Sequence, residues 1–339
     1  MPGGAPMAET ATTLPPTRRA ARFDTKTFLT RHGAWVALAL LVLVNLAITP
    51  NFATWQTLNV NLTQVCTIVI VGVGMTLVIA TGGIDLSVGA LMAIAGALAP
   101  LIFLGKLFPL PHPMVGIALA FVLPVIAAGA LGWFNGWLVT RLRIQPIIAT
   151  LVLFIAGRGI AQVFTNGNLQ VFSLPEFQFI GLGRVFGIPF QAILMLAIVV
   201  AAAWMLRRTV FGRQILAIGG NERAAGLAGV PVASVKQRVY LISGLLSGIA
   251  GLIVIARNSA ADANLVGLGM ELDAIAAVAV GGTLLTGGRA TVVGTLVGAL
   301  IIQLVRYTLL ANGVPDAAAL VAKAGIIVLA VWFQRQGQR

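Results

Sequence analysis

The chain has 339 residues, 59% hydrophobic and only 9% charged, against roughly 25% charged in ordinary soluble domains. So few charges cannot cover a water-soluble fold, and so apolar a chain is not a disordered one. An integral membrane protein is left. Its 22 Lys and Arg against 9 Asp and Glu give a net charge of +13, whose meaning depends on where the basic residues fall.

About 20 helical residues cross about 30 Å of hydrocarbon. The Pro-, Gly-, Ala- and Thr-rich start predicts a disordered cytoplasmic tail over 1–30, followed by one transmembrane domain over 31–335. Arg18, Arg19, Arg22, Lys26 and Arg31 precede the first apolar segment without a small-residue cleavage site, so it reads as an uncleaved signal anchor. Ten spans are predicted, at 33–50, 62–81, 86–104, 114–139, 146–165, 189–206, 238–256, 271–285, 290–311 and 318–334. The eighth is short, opens near Glu271 and Asp273, and reads as a partial or broken span. Lone Cys66 lies in an apolar run, and His32 and His112 are not at a metal-ligand spacing, so no metal is expected.

With a cytoplasmic N-terminus, sixteen of the 22 basic residues fall on the cytoplasmic side. That is a positive-inside bias, with both termini inside, and not a nucleic-acid footprint. The acids Glu176, Asp262, Glu271 and Asp316 lean to the outer side.

An internal repeat is visible. Residues 81–91, Thr-Gly-Gly-Ile-Asp-Leu-Ser-Val-Gly-Ala-Leu, overlay 286–296, Thr-Gly-Gly-Arg-Ala-Thr-Val-Val-Gly-Thr-Leu. The copies are an even number of spans apart, which predicts two parallel-related halves. Gly132/Gly136, Gly244/Gly248 and Gly294/Gly298 have the spacing that lets helices approach closely in lipid. The doublets Gly82-Gly83 and Gly281-Gly282 suggest helix breaks, which must lie against protein or a water-filled path.

The cytoplasmic loop 207–237 holds five basic residues, and Arg238 follows at once. Within it Asn221 is a good N-cap, Glu222 suits the positive end of a helix, and Gly229 and Pro231 stop one. A two-turn helix with an apolar face of Ala225, Leu227 and Ala228 is predicted. Alone in water it would be marginal, so it docks on something.

Three stretches now carry a resemblance: Met75-Thr76-Leu77-Val78-Ile79-Ala80-Thr81-Gly82-Gly83-Ile84-Asp85-Leu86-Ser87-Val88-Gly89, then 144–151 with Arg158-Gly159, then 219–230, with 281–289 fitting as well. From about residue 30 the chain resembles the permease subunits of ATP-binding-cassette sugar importers of the ribose, xylose and galactofuranose group. Residues 156–162, 261–264 and 271–275 look most like the galactofuranose-type members. The resemblance implies an all-α fold of about ten transmembrane helices in the bacterial inner membrane, resembling type II importers. It also implies passage of a monosaccharide delivered by a periplasmic binding protein, and a second permease subunit, the same or a sibling. Asn221, Glu222, Arg223, Ala224, Ala225, Gly226, Leu227, Ala228 and Gly229 would form the coupling helix, seated in a separate ATPase subunit. ATP would be bound there and no cofactor here: no Walker-type phosphate loop is present, and at the nearest match, Gly105-Lys106, Pro100 and Leu107 stand at required positions.

Gly82, Gly83, Asp85, Ser87, Arg158, Gly287 and Gly288 are pathway or gate candidates. Asp85 reads equally as a cap for the following helix, and Arg158, inside a span, as a lock between helices facing protein or water. Asp262, Asn264, Glu271 and Asp273 suit either docking of the binding protein or plain solvation. The rival function is an ion-coupled secondary sugar transporter with Asp85 and Arg158 as relays. An intramembrane enzyme lacks any motif in its favour.

Overall fold

The computed structural model describes residues 25–107, 109, 112–315, 317–322, 324–325 and 328, with side-chain surroundings from residue 33. The expectations on 1–24, Asp316 and most of the tenth span fall outside the described residues. The chain divides after Gly33. The first unit contributes only the start of α1 (Thr25–Ile48), and the second holds everything from Ala34.

Helices that follow are α2 (Trp55–Ala80), α3 (Val88–Phe103), α4 (Pro113–Arg141), α5 (Pro146–Thr165), α6 (Pro175–Leu182), α7 (Phe190–Arg208), α8 (Val210–Gly220), α9 (Glu222–Leu227), α10 (Val232–Asn258), α11 (Met270–Val280) and α12 (Val292–Ala311), with further helical residues at 317–322. Two small antiparallel pairs join β1 (Gln170–Val171) to β4 (Ala260–Ala261) and β2 (Arg184–Val185) to β3 (Ile188–Pro189). Helices α2, α4, α5, α7, α10 and α12 are each long and apolar enough to cross a membrane, while α3 and the apolar part of α1 are shorter. Lipid offers no hydrogen bonds, so the backbone must satisfy itself within each pass. Helix ends show how that is done locally. Thr54 and Thr291 accept from the amides of Thr57 and Gly294, prolines stand in the first turns of α4 and α5, and Asn166 and Ser259 close α5 and α10 in the left-handed conformation.

Helix α10 packs along α4, α2 and α3, and α2 is buried along most of its length. The α4–α10 crossing runs through the expected small residues. A Cβ on Gly132 would lie 3.0 Å from the Gly244 Cα, and one on Gly136 would lie 2.8 Å from the Gln237 Cα. Gly294 and Gly298 likewise face Gly281 and Ala277 across α11 and α12. Backbones meet here because nothing projects between them. One end of the bundle carries α9. The other carries an aromatic cluster in which Phe177 stacks on Phe121 at 4.9 Å and meets Phe103 and Phe172.

Three sequence expectations need correction. The stretch 207–237 is not a loop with a single short helix, because α8 precedes α9. Its signal was present: Thr209 accepts from the Gly212 amide as N-cap, and Ile215 and Ile218 are buried on one face. The repeat also registers differently in space. Thr81-Gly82-Gly83 ends α2, but its counterpart at the end of α11 is Gly281-Gly282-Thr283, with the amides of Gly83 and Thr283 making the same bond five residues back. Thr286-Gly287-Gly288 lies in the turn beyond. Finally, 259–269 is no external loop. α11 has 11 residues, about 16 Å of helix and half the hydrocarbon thickness. The other half of that pass is the irregular segment after β4, which packs Val266 beside Gly96 and Gly267 beside Gly89 of α3. The eighth span is half helix, half re-entrant chain.

Candidate functional site

Three polar or glycine-rich centres follow from this arrangement. The first lies at the α9 end, where both Thr-Gly-Gly turns and the end of α8 meet. The Gly288 amide donates to the Ala80 carbonyl at 3.1 Å. Gly82 and Gly287 adjoin each other at left-handed φ of 79° and 90°. Gly219 of α8 fits between them so tightly that a Cβ there would overlap the Ala80 carbonyl and the Gly288 amide, whereas a Cβ on Gly220 would meet nothing within 4 Å. α9 begins at once beyond this wedge. Asn221 caps it by accepting from the Ala224 amide at 3.0 Å, and Glu222 pairs with Lys236 at 2.6 Å. The expected apolar face of α9 splits in two: Ala225 is buried in the chain, while Leu227 is 91% exposed beside exposed Arg223, Ala224 and Ala228. Positions 225 and 227 are about 200° apart on a helix, so they cannot share a face. Gly226 and Gly229 are exposed too, Gly229 with φ of 84° where the chain turns into α10.

The second centre is Asp85, fully buried in the turn between α2 and α3. One carboxylate oxygen accepts from the Ser87 amide at 3.0 Å and the Ser87 hydroxyl at 2.6 Å. The other accepts from the Ser243 hydroxyl of α10 at 2.8 Å. Asn135 of α4 donates to the Ser87 hydroxyl at 2.9 Å, so the turn, α4 and α10 converge. Asp85 does not cap α3 as expected. Its bond reaches only two residues on, closing a turn before the helix starts. Gly83 is required beside it, since a Cβ would come 2.6 Å from the Tyr240 hydroxyl.

The third centre is Arg158 on α5. Its guanidinium donates to the carbonyls of Val266 at 2.6 Å, Ala263 at 2.9 Å and Asn264 at 3.4 Å. Gln162, one turn on, donates to the Asn264 side chain at 2.7 Å, and Asp262 accepts from the Asn264 amide at 2.8 Å. Arg158 also lies within electrostatic reach of Glu271 and Asp262. The structure thus gathers residues that spacing had assigned to separate tasks. Glu271 is buried against Gly89 at the start of α3 and is not on an outer surface, because α11 begins inside the bundle. Asp273 is half-buried on the same first turn. A charged fork supplies donors that the re-entrant backbone would otherwise lack. Arg158→Ala is therefore expected to destabilise the protein by about 3 kcal/mol and to speed amide hydrogen exchange over 263–269. Unchanged exchange there would show that the fork does not hold the segment.

Spacing alone did not reveal Ser243, Asn135, Gly219 or Gln162. Only Gly219-Gly220, a doublet like the two already noted, had a visible signal.

Against known proteins, residues 58–331 match the family described as the permease component of branched-chain amino acid transport systems. The chain is 41% identical to the ribose import permease protein RbsC of Escherichia coli K12, over 94% of this chain and 97% of that one. It is 39% identical to the galactofuranose transporter permease protein YtfT of the same strain, over 89% and 88%. With the ribose import permease protein of Bacillus subtilis 168 the figure is 40%, over 90% and 92%. Identity does not separate the ribose from the galactofuranose relatives. A bundle of apolar helices, two glycine turns seated on α8 and a match across most of the chain lead to one conclusion: this protein belongs to the branched-chain amino acid transport system permease family and is a multi-pass membrane protein.

Proposed function

We propose that the chain is the transmembrane subunit of an ATP-driven importer that passes a monosaccharide inward, with a separate ATPase subunit docking on α9. The observation that carries this reading is Leu227, a large apolar side chain 91% exposed on a short capped helix at the tip of a polar segment. A second protein chain removes such a side chain from water; nothing among the described residues does. The positive-inside bias supports placing that end in the cytoplasm of a bacterial inner membrane, with both termini on the same side. At the opposite end the β2–β3 hairpin holds Phe186 fully exposed at its tip, and Asn264, bonded to Gln162 of α5, is exposed as well. Both suit reception of a periplasmic sugar-binding protein. A second permease subunit would complete the pathway, and ATP would bind the partner alone.

Work is done by differential binding of ATP to two arrangements of the complex; the permease supplies two packings of the same helices. The wedge at Gly219 gives α9 a direct mechanical hold on both glycine turns. Vesicles containing this chain, its ATPase and its binding protein are expected to accumulate labelled sugar on addition of ATP. Accumulation driven by a proton or sodium gradient without the ATPase would instead make the protein a secondary transporter.

A further inference from the structure

Helix α7 exposes a single face. Ile193, Leu196, Val200 and Trp204 lie along it at helical spacing, and Arg207 and Arg208 continue it beyond the tryptophan. Three apolar turns, an aromatic ring and then guanidinium groups are the order met on passing from hydrocarbon through the interface to the headgroups. At that level a cleft of about 220 Å³ opens between Ala203, Leu206 and Arg207 of α7, Arg213 and Leu216 of α8, and the first residues of α12. Both arginines are exposed, and among the described residues neither guanidinium has a hydrogen-bond or ion-pair partner. No Asp or Glu occurs in 203–220 or 284–293, while Arg207, Arg208, Arg213 and Arg289 do. The cleft is thus walled mainly by apolar side chains, with two exposed guanidinium groups in its lining.

We propose that this cleft is a binding site for an anionic phospholipid, whose phosphate bridges Arg207 and Arg213 while its glycerol backbone and upper acyl chain lie on Leu206 and Leu216. A guanidinium pair matches phosphate oxygens through parallel N–H donors, which a zwitterionic headgroup answers less well because its own cation competes. Basic pockets between membrane helices select anionic lipids by this chemistry. The inference rests on the chain's embedding in a membrane and not on the importer reading, so either can fail alone.

The test uses the full-length purified protein, delipidated in detergent and titrated with phosphatidylglycerol or phosphatidylcholine under native mass spectrometry. Phosphatidylglycerol is expected to be retained about tenfold or more over phosphatidylcholine, with the preference lost in R207Q/R213Q and kept in R141Q/R143Q, which removes two exposed arginines outside the cleft. Equal loss in both double variants would reduce the effect to diffuse surface charge and overturn the site. So would displacement of the lipid by inorganic phosphate, which would mark a free-anion pocket. A second measurement needs no arginine variant: in vesicles, brominated phosphatidylglycerol is expected to quench tryptophan fluorescence more than brominated phosphatidylcholine, and W204F to lose that excess. An excess unchanged in W204F would place the bound lipid elsewhere and sink the proposal.

Discussion

Gly219→Ala is expected to abolish ATP-driven uptake, while Gly220→Ala, one residue on, leaves it at the original level. The two substitutions add the same methyl group to the same end of α8. At 219 that methyl overlaps backbone atoms of Ala80 and Gly288, which no rotamer change can relieve; at 220 it enters open space. Overpacking against backbone costs about 3 kcal/mol, the upper end of what extra methylenes do in a packed core. Relief comes only by separating α8 from the two glycine turns, and α9 moves with it. Uptake and sugar-stimulated ATP hydrolysis measured side by side decide the point. Hydrolysis that persists while uptake falls at least tenfold would show that the wedge transmits motion. If both variants matched the unaltered protein, the close approach would have no functional weight.

Leu227→Asp is expected to weaken assembly with the ATPase subunit by roughly a hundredfold, from the loss of about 2–3 kcal/mol of apolar burial and the cost of seating a charge in its place. The permease itself should be unaffected, since Leu227 is 91% exposed. Ala225→Asp makes the necessary contrast. Ala225 is 6% exposed and packs inside the chain, so its replacement lowers the melting temperature of the isolated permease, with or without a partner. Co-purification of the two subunits, set against thermal melting of the permease alone, separates the outcomes. Retention of the ATPase by the Leu227→Asp protein would remove α9 from the interface.

Much of this protein could be read without its fold. Apolar run lengths located the spans, because a helix crossing lipid must be about 20 residues long and apolar throughout. Asn221 marks a helix start because caps act through bonds within three residues. The glycine spacings on α4, α10 and α12 announced close packing, since helical periodicity places residues four apart on one face. Each of these signals lives within one or two turns of chain.

Tertiary structure alone decided the rest. Asp85 finds Ser243 158 residues away, and Ser87 finds Asn135 48 residues away, and no local pattern records those partners. Arg158 reads as an isolated charge in a span until the re-entrant segment arrives 105 residues later with three carbonyls to satisfy. The same contact explains why the eighth span is half helix: irregular backbone survives at that depth only where a donor is brought to it. Local propensity and hydropathy fixed which pieces cross the membrane. Which polar groups meet was set by packing between distant segments, because burying a carboxylate or a bare carbonyl is tolerable only beside a partner that the chain itself must carry there.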